Sequence, residues 1–480
     1  MARRKKAPLP LLENLEIIDA GSDGKAIAKT DERVVFIPFG APGDIVDAQA
    51  YKKKRNLFEA RITNFHKESE LRVAAKCSHF GLCGGCKWQH MSYETQLKFK
   101  QKQVKDAFER IAKVEYEEFL PIIGSHDEYY YRNKLEYTFS DRRWLTDYDP
   151  SKEEGGPEDT NGLGFHLPGM FDKILDIEHC YLQKDPSNAI RLEVKKYALE
   201  HELTFYNVRR WEGLLRNMII RTSESGDLMV IMIFRYDDMD IKDLLQHLTD
   251  KFPEITSLMY VINEKKNDSI SDLEVRLFKG NPFIMEKMPS PTGGKDFDFK
   301  VGPLSFYQTN PKQAFQLYKK AFEFADFKGD ELVYDLYTGA GTIAAFVSSA
   351  VKEVIGIEYL ESAVEDATEN MHLNNIENTK FFSGDMAKVL NEEFINKNGK
   401  PDIIIADPPR AGMHDKVVKQ IINAAPEKIV YVSCNQSTQA RDVALMADHY
   451  DVVKIQPVDM FPQTHHVENV VLLRLKAIKQ

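Results

Sequence analysis

The chain has 480 residues, of which 43% are hydrophobic and 29% charged, and its formal net charge is −10 at neutral pH. This length predicts two to four domains, and the composition is that of a soluble globular protein. No apolar run reaches the roughly 18 residues of a membrane span, and the basic N-terminus lacks the apolar segment of a secretory signal. We therefore expect a cytoplasmic protein.

Residues 9–66 contain five short strand patterns, at 15–18, 25–28, 34–37, 44–48 and 58–62, separated by Gly and Pro. This spacing predicts a small closed barrel of the OB type, a fold that often binds RNA. A basic run lies in its last turn and is a candidate RNA contact: Lys52, Lys53, Lys54 and Arg55.

The charge of the chain is unevenly distributed. Residues 51–113 hold 15 Lys and Arg against 6 Asp and Glu, a net charge of +9, whereas residues 147–159 hold six acids and one lysine. One basic face on an acidic protein is compatible with a selective RNA contact, although a solvated charge run is the more frequent origin of any single stretch. Residues 141–162, polar and acidic, are predicted to be a loop insertion.

Cys77, Cys83 and Cys86 have five and two residues between them, with several glycines that let the backbone fold around a ligand. Thiolates at this spacing can hold one metal centre, and Cys180 is the plausible fourth ligand. A 4Fe-4S cluster and a zinc ion both fit this pattern, and unrelated buried cysteines are the alternative to either.

The central region predicts a helix over residues 92–113, with Leu97, Val104, Phe108 and Ile111 on its apolar face. Residues 129–140 then enter a strand in which Arg132, Asn133 and Lys134 follow tyrosines. Cations beside aromatics suit RNA stacking and phosphate contact, although a surface strand is the commoner explanation. Between residues 163 and 305 strands predominate, which predicts an antiparallel α+β domain.

The pattern changes at Pro311, where helices and buried strands begin to alternate. A strand over residues 332–336 runs into a glycine turn that holds Gly339, Gly341 and Thr342 before a helix, an arrangement that lets a nucleotide approach backbone amides.

Two carboxylates follow the next strands of this domain. Glu358 ends a strand 17 residues beyond Gly341, where it can accept both ribose hydroxyls, and Asp385 ends another, where it can meet an adenine amine. Phe346 stands where a pyrophosphate-binding glycine is expected, which favours S-adenosylmethionine over NAD.

Candidate catalytic residues follow three further strand patterns. Cys434 lies between a strand and a helix N-terminus, which favours a thiolate. Asp407 and Arg410 end an upstream strand, and Glu468 precedes the last one. Because carbon 5 of uracil is a poor nucleophile, thiolate addition at carbon 6 would activate it, and Glu468 would later remove the proton at carbon 5. Asp407 and Arg410 would orient the base and stabilise its charge.

These motifs resemble the RNA uracil-5-methyltransferases of the iron–sulfur type, close to the bacterial 23S rRNA enzymes. The resemblance covers nearly the whole chain and rests on the four cysteines, FYQTN with Gln308, DLYTGAGT, IADPPRAG, VSCNQST and HHVEN. It implies a TRAM domain over residues 1–68, a central RNA-binding domain with the cluster over 69–310, and a Rossmann-like methyltransferase domain over 311–480.

The resemblance also implies roles for individual residues. The metal centre would be a 4Fe-4S cluster rather than zinc, Cys434 the nucleophile and Glu468 the base. The implied cofactor contacts are Gln308, Tyr337, Glu358 and Asp407. Thr342 departs from the family, since some members carry asparagine there, and the acidic insertion is outside the family pattern.

Three other interpretations compete with this one. A radical S-adenosylmethionine enzyme needs a tight CxxxCxxC, which differs from the spacing here. A non-enzymatic RNA-binding or iron-sensing protein would make no use of Cys434 with Glu468. Within the family, tRNA is the alternative to 23S rRNA, because the same site chemistry serves either RNA. We expect a monomer.

Overall fold

The computed structural model describes residues 8–146 and 159–477. Most of the predicted acidic insertion, residues 147–158, lies outside the described residues, as do residues 1–7. No helix in the described residues has both the length and the apolar character to cross a bilayer.

Residues 8–68, all of them described, form a closed barrel of five strands in the order β1-β2-β3-β5-β4. Its strands are β1 (Leu11–Ala20), β2 (Ala26–Lys29), β3 (Val34–Ile37), β4 (Ile45–Lys54) and β5 (Leu57–Lys67). Alternate side chains, among them Ile17, Ala28 and Val35, point inward and form a small core. The predicted barrel is confirmed.

A helix and a short strand follow the barrel. α1 (Tyr93–Ala107) begins after Ser92, whose hydroxyl accepts a hydrogen bond from the backbone nitrogen of Thr95. The helix continues as a π-helical turn, Phe108–Ala112, and β6 (Tyr116–Phe119) follows. The predicted helix is confirmed, but Ile111 is 45% exposed rather than buried. The wider π turn explains this, because it rotates Ile111 away from the apolar face.

Among the described residues of the central region, seven strands form one sheet in the order β13-β12-β11-β10-β7-β8-β9. Its elements are β7 (Lys134–Ser140), β8 (Gly162–Leu167), β9 (Met170–Asp176), α2 (Ser187–Glu200), β10 (Leu215–Thr222), β11 (Leu228–Phe234), α3 (Asp240–Lys251), β12 (Ser257–Ile262) and β13 (Arg276–Gly280). The sheet is antiparallel as predicted except at β11 and β12, which are parallel because α3 carries the chain back across the sheet.

The central sheet is covered on both faces. α2 and α3 pack on one face, and the other face joins a core shared with the C-terminal domain and the hairpin of β14 (Ile284–Met288) and β15 (Phe297–Val301). Double coverage explains why every residue of β11 is buried.

The C-terminal domain is a doubly wound α/β sheet, as predicted. Its eight strands, counted within the described residues, lie in the order β18-β17-β16-β19-β20-β22-β21-β6. The elements are α4 (Pro311–Ala325), β16 (Leu332–Leu336), α5 (Thr342–Ser348), β17 (Glu353–Glu358), α6 (Glu361–Leu373), β18 (Thr379–Ser383), α7 (Met386–Val389), α8 (Glu392–Asn398), β19 (Ile403–Ala406), α9 (Asp415–Ala424), β20 (Lys428–Ser433), α10 (Gln436–Met446), β21 (Tyr450–Val458) and β22 (Glu468–Leu475).

This sheet recruits residues from before the central domain. β6 pairs in parallel with β21, and Val104 and Phe108 share an apolar core with residues of β16 and β20. The segment from α1 to β6, which the sequence grouped with residues 69–310, therefore packs on the C-terminal domain.

Candidate active site

The strand order of the C-terminal sheet creates a crevice. The order reverses between β16 and β19, which lie side by side and run parallel. Ligands of such sheets bind at the carboxyl ends of the strands at this switch point. All the residues predicted for cofactor binding and catalysis except Gln308 and Glu468 lie at or just beyond the carboxyl ends of strands β16 to β20, so the fold brings them to one edge of the sheet.

The turn after β16 opens its backbone to this crevice. Tyr337, Gly339 and Gly341 have φ angles of 67°, 55° and 80°, a region that glycine adopts freely. A Cβ at Gly341 would lie 3.0 Å from the Cβ of Ala367 in α6, whereas one at Gly339 would face open space. Gly341 therefore lets α6 pack closely, and Gly339 leaves room for a ligand.

Glu358, at the end of β17, lies beside the glycine turn. Its carboxylate accepts hydrogen bonds from the backbone nitrogens of Gly339 at 3.1 Å, Tyr359 at 2.8 Å and Leu360 at 3.1 Å. Asp385 lies beyond β18, where its carboxylate caps α7. Both carboxylates stand at the strand ends where the sequence predicts cofactor contacts.

A buried carboxyl group, Asp335, and a half-buried one, Asp407, lie at neighbouring strand ends. Asp335 is fully buried, and its Oδ1 has no hydrogen-bond partner among the described residues, while its Oδ2 accepts one from Thr338. Burial raises the pKa of Asp335 to about 7. Burial and the charge of Asp335 raise the pKa of Asp407 to about 7. Asp335 was not among the predicted site residues, although its place at the end of a buried strand is a signal that could have found it.

The FYQTN segment reaches the same crevice. The Tyr318 hydroxyl, on α4, interacts with the side chains of Gln308 and Thr342, and burial followed by the charge of Asp407 raises the pKa of Tyr318. Asn133 holds this segment, since its Nδ2 donates to the Gln308 carbonyl at 3.1 Å. Three predicted residues from separate motifs thus lie around the Tyr318 hydroxyl. The sequence did not single out Tyr318, because it fits the apolar pattern of α4.

Cys434 lies between β20 and α10. Asn435 caps α10 and its Nδ2 also donates to the Arg410 carbonyl at 3.0 Å, which joins the two strand-end turns. Burial, followed by the charges of Glu468 and Asp407, raises the pKa of Cys434 to about 11, and Arg410 acts in the opposite direction. Burial and the two carboxylates therefore act against the thiolate that the helix N-terminus is predicted to favour.

Glu468 begins β22, which pairs antiparallel with β20 so that Ser433 and Asn469 are opposite each other. This register brings Glu468 close to Cys434. The Glu468 side chain is buried, and burial together with the charge of Asp407 raises the pKa of Glu468 to about 8. A carboxyl group with a pKa near neutrality can exchange protons during a reaction.

A buried ion pair holds the loop that leads to Glu468. The Lys100 ammonium of α1 lies 2.6 Å from Asp459 Oδ1 and 3.0 Å from the Phe461 carbonyl, and both charged side chains are fully buried. The Tyr93 hydroxyl donates to Asp459 Oδ2 at 2.9 Å. This contact could not be predicted from local sequence patterns, because 359 residues separate Lys100 from Asp459.

The barrel contacts the same loop. The rings of His465 and His466 lie 4.0 Å apart, and a Cβ at Gly24 of the barrel would lie 2.8 Å from Nδ1 of His465. Trp88 Nε1 donates to the Gly24 carbonyl at 3.2 Å. Burial lowers the pKa of His465 to about 4 and that of His466 to about 3, so both are neutral at physiological pH.

The four predicted metal ligands line one cavity of about 530 Å³ in the central domain. Burial, together with the neighbouring thiols Cys77 and Cys180, raises the pKa of Cys83 to about 11 and that of Cys86 to about 12. Within residues 8–146 and 159–477, no three His, Cys, Asp or Glu side chains are arranged around a position for a metal ion.

The predicted RNA-binding residues fall into two groups. One is exposed at the turn between β4 and β5: Lys52, Lys53, Lys54 and Arg55. The other group consists of Arg132, Asn133 and Lys134. The Arg132 guanidinium lies 5.3 Å from the ring centroid of Phe461, and Asn133 Nδ2 donates a hydrogen bond to Glu286. Burial lowers the pKa of Lys134. The Arg132 and Asn133 side chains are thus engaged within the protein, Arg132 lies against the loop that leads to Glu468, and Lys134 lines the cysteine cavity.

Comparison with known proteins agrees with this site. Residues 222–476 match the family model described as tRNA (Uracil-5-)-methyltransferase. An uncharacterized RNA methyltransferase of Bacteroides thetaiotaomicron is 54% identical over 95% of this chain and 100% of its own length. One of Porphyromonas gingivalis is 52% identical over 96% of this chain and 99% of its own length.

Among solved structures, the Pyrococcus abyssi tRNA (uracil-54, C5)-methyltransferase in complex with S-adenosyl-L-homocysteine is similar over 95% of this chain and 99% of its own. The TM-score is 0.73 and the sequence identity 28%. The similarity therefore extends over the barrel, the central sheet and the C-terminal domain.

Proposed function

Because the chain belongs to the tRNA (uracil-5-)-methyltransferase family and is an S-adenosylmethionine-dependent RNA methyltransferase, we propose that it methylates carbon 5 of a uridine in 23S rRNA through an adduct between Cys434 and carbon 6 of the base. The observation that carries this proposal is the convergence of the Cys434 thiol, the Glu468 carboxyl and the Arg410 guanidinium at the end of β20.

The first half of the reaction makes carbon 5 nucleophilic. The Cys434 sulfur bonds to carbon 6, and the electron pair of the 5,6 double bond moves toward carbon 5 and the oxygen on carbon 4. The thiol must lose its proton first, because the pKa of Cys434 is about 11. Arg410 favours that loss, and with Asp407 it orients the base and stabilises the charge that develops.

Glu468 acts in the second half. After carbon 5 has taken the methyl group, the Glu468 carboxylate accepts the proton from carbon 5. The 5,6 double bond re-forms, and the bond between carbon 6 and the sulfur breaks to return the thiolate. The pKa of about 8 makes Glu468 a stronger base than an ordinary carboxylate.

The cofactor site is assigned to the crevice residues Gln308, Tyr337, Gly339, Gly341, Thr342, Glu358, Asp385 and Asp407. Bound S-adenosylmethionine supplies an electrophilic methyl group on a positively charged sulfur. Two observations support S-adenosylmethionine binding here. A Cβ at Gly339 would face open space, and Asp335 Oδ1 has no hydrogen-bond partner among the described residues. Carboxylates in the crevice favour a cationic ligand over an anionic one.

The cysteine cavity is assigned a 4Fe-4S cluster held by Cys77, Cys83, Cys86 and Cys180. Its support is the chemistry of the donor set, since four thiols that raise one another's pKa are stabilised as thiolates by bound iron. Such a cluster would tie residues 77–86 to Cys180 and close a long loop, which restricts the unfolded chain. A structural role follows from this placement.

RNA binding and methyl transfer are assigned to different domains. Residues 1–68 bind the RNA through the exposed residues 52–55, residues 69–310 supply a further RNA-binding surface, and residues 311–480 carry the methyl transfer. The barrel and the four-cysteine motif, which resemble those of the 23S rRNA enzymes, support 23S rRNA as the substrate. The likeness to the Pyrococcus abyssi enzyme, named as acting on tRNA, favours tRNA as the second candidate.

The test is to map 5-methyluridine in 23S rRNA and tRNA from cells with and without the gene. A 23S rRNA position that loses the modification, and regains it with the intact gene but not with Cys434→Ala, would support the proposal. Loss confined to tRNA would transfer the activity to the second candidate. Unchanged modification in both RNAs would refute the proposed function.

A further inference from the structure

One lysine, one histidine and three tyrosines form a cluster at the surface of the central domain. The Lys76 ammonium lies 4.6, 5.2 and 4.9 Å from the ring centroids of Tyr129, Tyr130 and Tyr181. The His179 ring lies 4.4 Å from that of Tyr181, and its Nε2 lies 3.2 Å from the Tyr130 hydroxyl. We call these five residues the tyrosine platform.

Core packing does not account for the platform. In the described part of the chain, none of its tyrosines belongs to a hydrophobic core cluster, and Lys76 has no ion-pair partner within 4.0 Å. Tyr130 has a φ of 56°, a left-handed conformation that a bulky aromatic residue rarely adopts. Its backbone nitrogen donates to the Tyr181 carbonyl at 2.7 Å, which holds the strained residue in place.

The platform adjoins the loop that leads to the proposed base. Glu128, beside Tyr129, accepts a hydrogen bond from Gln463 at 3.4 Å, and the Tyr131 hydroxyl donates to the Pro462 carbonyl at 2.9 Å. The proposed base lies five residues beyond Gln463 in the sequence. An RNA strand whose target uridine occupied the crevice would therefore pass near the platform.

We infer that the tyrosine platform binds an unpaired nucleotide of the substrate RNA, with its base stacked on a tyrosine ring and a phosphate paired with Lys76. This inference rests on the proposed function and adds a contact outside the target-uridine site. Tyrosine rings stack on any base, and an exposed lysine can exchange ring faces for a phosphate. RNA is favoured over a protein partner, because the residues beside the platform contact the loop that leads to the proposed base.

The same contacts define a second role, against which the experiment tests the inference. His179 and Tyr181 also line the cysteine cavity, so the cluster could serve to keep water from a bound metal centre. That role predicts loss of metal when the rings are removed, whereas the RNA role predicts loss of RNA affinity with the metal retained. The two roles are therefore separable by experiment.

The test uses the full-length enzyme purified without oxygen and a fluorescein-labelled oligouridine of about ten nucleotides, within the usual site sizes for single strands. Tyr129→Ala should weaken oligouridine binding about tenfold, whereas Tyr129→Trp, which keeps a stacking ring, should stay within about twofold. Lys76→Gln should lower the slope of log Kd against log salt by about 0.7. Tyr236→Ala, which removes a tyrosine that is exposed elsewhere in the central domain, is the matched control.

Iron content, S-adenosylmethionine affinity and methylation of total RNA are measured on the same preparations. If Tyr129→Ala and Lys76→Gln bind oligouridine normally while the wild type is active, RNA binding by the platform is refuted and the proposed function is unaffected. Loss of iron in these variants would show that the residues keep water from a bound metal centre, and this result would also refute RNA binding by the platform. A wild type that methylates no RNA would refute the proposed function itself. Crosslinking of 4-thiouridine RNA to the Tyr129 peptide of the wild type supports the platform without relying on variants.

Discussion

The buried pair of Lys100 and Asp459 offers a sharp test of how the active-site loop is positioned. Lys100→Met keeps the length of the side chain and removes its charge. The Asp459 carboxylate would then stay buried, held by the Tyr93 hydroxyl and the Phe461 backbone nitrogen but without a cation. Breaking a buried pair in this way costs about 3–5 kcal/mol. In a domain of this size, a loss of about 3 kcal/mol lowers the melting temperature by roughly 6–12 °C.

The loss should also appear in catalysis, because the loop from Asp459 leads directly to Glu468. A displacement of about 1 Å in a catalytic group can cost about 100-fold in rate. We expect single-turnover methyl transfer by Lys100→Met to fall by about that factor at a temperature where the variant is folded. S-adenosylmethionine affinity, measured by calorimetry, should remain within about twofold, since the cofactor crevice lies at other strand ends.

Lys102→Met is the matched control on the same helix. Lys102 is 41% exposed and pairs with Asp19 and Asp106 at 2.6 and 2.8 Å, and exposed pairs contribute about 0–1 kcal/mol. Adding Asp459→Asn to Lys100→Met should recover part of the stability, because it removes the stranded charge. Wild-type melting and turnover in Lys100→Met would refute the positioning role.

Three further predictions follow from the site. Below about pH 8, the rate at which the methylated enzyme–RNA adduct breaks down should rise about tenfold per pH unit and then level off, because Glu468 must be ionised to accept the proton from carbon 5; Glu468→Gln should leave this adduct on denaturing gels. Asp335→Asn should weaken S-adenosylmethionine binding about tenfold by calorimetry, with oligouridine binding unchanged, since it removes a charge from the crevice. Cys180→Ser should lose iron and the brown colour, melt at a lower temperature and bind RNA more weakly, with S-adenosylmethionine affinity unchanged; a normal, metal-free variant would contradict the structural role of the cluster.

The sequence predicted the elements whose causes are local. Alternating apolar residues and glycine turns identify the five strands of the barrel, and the buried runs ending in DLYTGAGT, IADPPRAG and VSCNQST identify three strands of the C-terminal sheet. Since parallel strands end at one edge, motifs that are far apart in sequence could be expected at one crevice.

Features set by long-range contacts could not be predicted in this way. Lys100 lies three residues after Leu97 and four before Val104, on the apolar face of the predicted helix, but its burial as an ion pair depends on Asp459, which comes from the far end of the chain. The pairing of β6 with β21 has the same origin. The raised pKa of Cys434 could not be predicted either, because it depends on burial and on the carboxylates of Asp407 and Glu468, which come from other strands.

The central claim, that Cys434 attacks the base, is tested most directly by the mass of the peptide that carries it. The enzyme is incubated with S-adenosylmethionine and a substrate RNA containing 5-fluorouridine, whose fluorine cannot leave as a proton, so that the adduct persists. We predict a methylated 5-fluorouridine on the peptide containing Cys434, and none on Cys434→Ala, which should still bind S-adenosylmethionine. Methyl transfer by Cys434→Ala, or an adduct on another residue, would contradict the covalent mechanism.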